Sequence, residues 1–183
     1  EQLIKLLKEV DDAINQYEAG DSSALGMARA LLEQLEPGER KHSEARTRQA
    51  KLSQFQGAQD NWKMGQDEYR QANWGSAETY LRKVVQNPAG ADSAVKKQAE
   101  EMANRALAGL RFEEGRQAEE TKDWSTALDK YTDAKNLLTS NPPDSLTERV
   151  LADCKVALQR LELRRSEEQE TRTLLTKAKN HLL

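Results

Sequence analysis

Two stretches of this chain, fifty residues apart, carry the same landmarks. Trp62, Gly65, Trp74 and Ala77 in the first correspond to Phe112, Gly115, Trp124 and Ala127 in the second, each displaced by fifty (115 − 65, 124 − 74, 127 − 77). Self-similarity at a fixed period of this size belongs to stacked architectures, in which each unit buries its apolar face only against its neighbours. The period therefore constrains the fold before any single residue does. It also points to a protein that offers surface rather than chemistry.

Only 37% of the 183 residues are hydrophobic and 32% are charged, a balance that suits helices with one narrow buried stripe. Disorder is the competing reading of such a composition. Here the apolar residues are periodic, and the four prolines at 37, 88, 142 and 143 each follow a run of helix formers. Spacings of three and four predict seven helices. The first covers about 1–18, with Leu3, Leu7, Val10 and Ile14 on its stripe, and Ser22 or Ser23 can cap the second, which carries Leu25, Ala28 and Leu32 up to Pro37. A long third helix, about 40–72, turns at Asn73-Trp74-Gly75-Ser76 into a short fourth that Pro88 closes. Ala91-Asp92-Ser93 opens a long fifth to about 121, and Lys122-Asp123-Trp124-Ser125 turns into a sixth that Pro142-Pro143 ends. Asp144-Ser145 caps a seventh. Residues 163–173 are polar, and Leu175, Ala178 and Leu182 match Trp124, Ala127 and Tyr131 displaced by 51, so a third short helix could begin near 174. No Gly or Pro interrupts this stretch, which favours one long helix from 145 onward. No alternating β pattern occurs, and the predicted fold is all-α.

The net charge of −3, with both signs well mixed, argues against nucleic acid, which calls for a basic stripe. No apolar run approaches the length that spans a bilayer, so direct membrane insertion is not expected. The chain reads as an excerpt of a longer protein. Its compartment stays open between cytoplasm and bacterial periplasm. The single cysteine, Cys154, lies among Leu151, Leu158 and Leu161 at helical spacing and reads as a small packing residue.

Catalytic constellations are not evident. His42 and His181 are far apart and lack partners at metal-ligand spacing, so no zinc site is expected. Neither a phosphate-binding Gly-rich loop nor a nucleophile elbow is present. Glu113-Glu114 and Glu167-Glu168 read as solvated pairs. No cofactor is implied. The basic cluster Lys41, His42, Arg46, Arg48 and Lys51 is the best candidate for an acidic partner, with 41, 48 and 51 on one face opposite the apolar stripe. Interleaved Glu39 and Glu44 weaken it, and a solvated face is the plainer reading. Trp74 and Trp124, at the elbows, read as packing residues, whereas Trp62 and Tyr69 lie on a face that could line a groove.

These spacings resemble the tetratricopeptide repeat, whose signature runs W-x2-L-G-x2-Y, A-x3-F, P over 34 residues. Met64-Gly65 fills the L-G pair, Ala77-x3-Leu81 the A-x3-F pair, and Pro88 lies near the family's proline; in the next copy Gly115 precedes Ala127-x3-Tyr131. Gly and Ala are twelve apart in both copies (77 − 65, 127 − 115), as in the family, where the small residues let two helices cross closely. Trp62 and Tyr69 sit one residue late, Glu114 replaces a leucine, and the first helix of each unit is extended N-terminally. The likeness covers 57–88 and 107–138 well and the remainder weakly.

The resemblance implies one domain over 1–183, an antiparallel array of about seven helices, long and short alternating, in a right-handed superhelical stack. Its units would be 1–37, 40–88 and 91–143, followed by a C-terminal helix over 145–183. It further implies a non-catalytic scaffold that binds a peptide or helical segment of a protein partner on the concave face lined by the first helix of each unit. The residues expected there are Trp62, Gln66, Tyr69, Arg116 and Glu119. Trp62, Gln66, Phe112 and Arg116 do not reproduce the basic clamp with which one subclass holds a peptide carboxylate. The alternative is a structural spacer or oligomerisation module of a larger protein, such as a bacterial envelope or secretion protein. It would self-associate through Leu151, Cys154, Leu158 and Leu161. In solution the expected state is a monomer or a weak homo-oligomer.

Overall fold

A computed structural model describes residues 2–21, 23–87 and 93–181, without the side chains of 93 and 178–181. Seven α-helices follow one another: α1 (Gln2–Glu18), α2 (Ala24–Glu33), α3 (Ser43–Arg70), α4 (Trp74–Gln86), α5 (Ser93–Glu120), α6 (Trp124–Ser140) and α7 (Thr147–His181), with one 3-10 turn at Glu39–Lys41 before α3. Among the described residues there is no strand. The chain is all-α, and α7 runs unbroken through 174. The capping role read for Ser22, the stops and starts at Pro88, Ala91 and Asp92, and the pattern at Leu182 lie outside the described residues; so does the side chain of Ala178.

The long helices keep the sequence's period. Helices α3 and α5 are both 28 residues long, and their ends are displaced by fifty (93 − 43, 120 − 70). The short helices start at Trp74 and Trp124, also fifty apart. The tryptophans are thus the first helical residues after the elbow rather than part of it. What turns the chain is a left-handed residue just before them, Ala72 at φ 57° and Lys122 at φ 62°. After α5 the Asp123 amide donates to the Ala118 carbonyl at 2.9 Å and the Lys122 amide to that of Glu119 at 3.0 Å, which closes the helix end as a Schellman motif. The end of α1 is built the same way around Gly20 at φ 108°, with Asp21 bonded back to Gln16 at 3.0 Å. There a glycine takes the left-handed conformation that costs an L-residue about 1–2 kcal/mol.

Beside the starts of α2, α6 and α7 a carboxylate rather than a serine accepts the free amides. Asp21 accepts from the Ser23 amide and hydroxyl, at 2.9 and 2.6 Å, so Ser23 does not cap α2 as its position suggested. Asp123 accepts from the Thr126 amide at 3.2 Å at the start of α6. Before α7, Asp144 accepts from the Thr147 amide at 3.0 Å while the Thr147 hydroxyl accepts from the Asp144 amide at 3.1 Å. This reciprocal pair satisfies two orphan donors, and Thr147 is fully buried within it.

The chain forms two compact units: Glu1–Gln71 with Ser76–Ala103, and Ala72–Gly75 with Asn104–Leu183. The boundary falls inside α5, so a unit of compaction differs from a unit of the period. In the first unit, Val10, Ile14, Leu25, Ala28, Leu52 and Phe55 form the main core, with the Tyr17 ring 4.8 Å from that of Phe55. Gly65 of α3 lies beneath Leu81 of α4. A Cβ at 65 would stand 2.8 Å from that side chain. In the second unit Gly115 of α5 lies beneath Tyr131 of α6 at the same 2.8 Å. Ala77 and Ala127 are fully buried, as their positions predict. The residues seated on the glycines, however, are Leu81 and Tyr131, one turn beyond the alanines. A ring or branched chain reaches across where the small side chain of alanine stops short.

Candidate functional site

The five residues expected to line a partner face divide between the units. In the first, Trp62 and Gln66 are half-buried on α3, while Tyr69 is only 3% exposed and belongs to the core. A residue that deep cannot offer its ring to a partner. In the second, Arg116 is exposed on α5. Glu119 is occupied: both its oxygens accept from Arg160 of α7, at 2.7 and 2.6 Å, and one also accepts from the Tyr131 hydroxyl at 2.7 Å. Burial, followed by that bond to a carboxylate, raises the pKa of Tyr131, so the phenol stays protonated and donating. Glu119 ties three helices together, so its carboxylate is engaged within the fold.

Two members of the basic cluster are spent internally, while Lys41, His42 and Arg46 are exposed. Arg48 donates to Asp11 of α1 through two nitrogens, at 2.9 and 2.6 Å, and Lys51 pairs with Glu18 at 2.7 Å. Arg48 therefore faces α1 rather than solvent opposite the apolar stripe. The hydrogen bond to Asp11 raises its pKa further. Glu114, read as a solvated acid, is instead half-buried between Lys130 and Arg111, at 2.7 Å each, and the bond to Lys130 holds its carboxyl below the ordinary range. A carboxyl held charged in this way is the reverse of what a general acid needs.

The stripe Leu151, Cys154, Leu158 and Leu161 is not a free seam. Cys154 is fully buried, Leu158 and Leu161 are 8% and 6% exposed, and α6 packs along α7. Burial pushes the Cys154 thiol up to about 12, which leaves it inert at neutral pH. Among the described residues no three His, Cys, Asp or Glu side chains converge on a metal position, and no helix is long and apolar enough to cross a membrane.

What sequence reading missed is a groove beside Trp124. The two elbow tryptophans differ. Trp74 is 6% exposed, with its ring lying on Gly109 of α5, where a Cβ would run into it. Trp124 is only half-buried, and the position of α7 displaced by fifty from Gly109 is Gln159, which is exposed. The Arg164 guanidinium covers one face of the indole instead, 3.8 Å from the ring centroid. A groove of about 390 Å³ opens there, with Trp124, Leu128 and Asp129 on the α6 side and Leu161, Arg164 and Arg165 on the α7 side. The sequence signal available was the absence of a glycine from α7, so that the second copy has no counterpart to Gly109.

Comparison with family models, with curated proteins and with solved structures returns no match.

Proposed function

We propose that this chain is a divergent tetratricopeptide-like scaffold without catalytic activity, binding a peptide or helical segment of a protein partner. The observation that supports this reading most is the recurrence of one helical hairpin at a displacement of fifty. A 28-residue helix, a left-handed elbow and a tryptophan-led short helix appear twice, each with a glycine seated under a bulky residue of the short helix. Repeats of this kind offer long-helix side chains to partners. Trp62 and Gln66 on α3 and Arg116 on α5 remain as contact residues; Tyr69 and Glu119 drop out because the fold itself uses them. The test is selection of a random displayed peptide library against the full chain, followed by titration calorimetry of the enriched peptides. Saturable binding is expected that weakens about tenfold in Trp62→Ala for a peptide held by the first unit, or in Arg116→Ala for one held by the second. Failure to enrich any sequence would remove the scaffold reading.

The spacer or oligomerisation reading keeps one observation in its favour. Residues 162–177 of α7 are exposed on every side, with Leu163 and Leu174 at 66% and 64%. Sedimentation equilibrium separates the two. A tight dimer that Leu174→Glu dissociates would favour the spacer.

A further inference from the structure

Three features coincide in the groove between α6 and α7. Its floor is apolar, made by Trp124, Leu128 and Leu161. Its volume of about 390 Å³ falls within the range of pockets that take a small ligand or a few side chains. Its two walls carry opposite charges that the fold leaves without ion-pair partners among the described residues: Asp129 on α6 and Arg165 on α7. The remaining charged pair, Arg164 with Glu168, is bonded at 3.3 Å with both side chains about half exposed. A pair that exposed contributes little to stability, so Arg164 can swing off the indole at small cost.

An open apolar floor between two unmatched charges is complementary to an occupant of matching pattern. We propose that this groove docks a partner segment bearing an aliphatic side chain, a carboxylate on the side facing Arg165 and an ammonium or guanidinium on the side facing Asp129. The inference rests on the scaffold reading and names a docking place for it, apart from Trp62, Gln66 and Arg116. The aliphatic group fills the space that Gly109 and α5 deny to a ligand at Trp74. The flanking charges set the direction of the segment, because reversing it would bring like charges together on both walls. Arg164 is the movable cover.

The experiment uses peptides enriched from the displayed library, titrated into the full chain and its variants. The expected enriched pattern places an acidic residue and a basic residue on either side of a leucine, isoleucine or methionine. Arg165→Glu should weaken such a peptide about tenfold and Asp129→Lys similarly, while Arg165→Glu/Asp129→Lys together should restore binding to the peptide with its two charges exchanged. These positions are exposed, so the variants keep the fold, which circular dichroism verifies. Binding that falls in Trp62→Ala or Arg116→Ala but is untouched by Arg165→Glu overturns the groove and leaves the scaffold standing. Enriched peptides without the charge pattern overturn it, and so does a groove filled by a second copy, seen as a dimer that Leu128→Glu, on the groove floor, dissociates.

Discussion

Trp74 and Trp124 hold the same place in the fifty-residue period and meet different fates. Both follow a left-handed residue and open a short helix. Trp74 closes onto a glycine of the following long helix and is 6% exposed. Trp124 faces a helix without that glycine and shares its surface with an arginine and a groove. The same residue is thus a packing element in one copy and part of a surface feature in the other. What closes the first lies 35 residues downstream (109 − 74), at a glycine that the second copy lacks. A repeat signature alone therefore does not say which of its aromatics is free.

The comparison breaks most visibly if the tryptophans are removed. Trp74→Ala empties a closed contact and is expected to cost about 3–5 kcal/mol, whereas Trp124→Ala, with one side already open, should cost roughly half as much or less. Urea denaturation followed by circular dichroism measures both. Equal losses would mean that the second elbow is as closed as the first.

The next effect is one of added volume. Gly109→Leu would drive a side chain into the Trp74 ring and should cost about 1–3 kcal/mol or more, while Gln159→Leu, on an exposed position, should stay within about 0.5 kcal/mol. Ala127→Leu belongs with the first group and the exposed Ala152→Leu with the second. Hydrogen exchange on Ala127→Leu should show loss of protection concentrated in α5, α6 and α7. Uniform loss across all seven helices would contradict a fold built from near-independent units.

The helices were legible because their signals are local. Apolar spacing placed all seven, and the matching ends of α3 and α5 follow from a period already visible in Trp62, Gly65 and Trp74. The side-chain partners were not legible, because they are set by contacts between helices. Nothing local to Glu119 announces Arg160, 41 residues away, and nothing at Arg48 announces Asp11. Tyr69 shows the limit of a face argument, since helical spacing says which residues share a side but not which neighbour covers it. The stripe around Cys154 was read as packing and, in the alternative, as a seam with a second copy; which neighbour buries it, α6, was not legible. Asp144 was read at the start of α7, but Asp21 was missed because it stands outside its helix, where serines at the boundary drew the reading.

The elbows themselves supply a smaller contrast. Gly20 adopts its left-handed turn without a Cβ, whereas Lys122 holds φ 62° with one. Lys122→Gly should relieve about 1–2 kcal/mol of backbone strain. The greater freedom of glycine in the unfolded chain takes back about 0.5–1 kcal/mol of that. A net gain near 1 kcal/mol is expected, read as a rise in melting temperature; Ala72→Gly should behave alike. Destabilisation by either would show that the side chain, not the backbone, holds the elbow.

The smallest effect separates the copies by pH. Position 64 is Met, 45% exposed, and its counterpart fifty residues on is Glu114, held between Lys130 and Arg111. The bond to Lys130, followed by that to Arg111 against the opposing effect of burial, lowers the Glu114 carboxyl below its ordinary value of 4.5. A group whose folded pKa is depressed contributes stability that is complete above the unfolded value and is lost as pH falls through the folded one. The second hairpin should therefore weaken below about pH 4.5 by an increment that the first, with methionine there, does not share. With about a third of the side chain in water the increment is modest. Melting temperatures from pH 7 to pH 3 for wild type and Glu114→Gln measure it. The two curves should be separated at neutral pH and converge as the carboxyl protonates. Parallel curves would mean that the ion pairs of Glu114 add nothing to the fold.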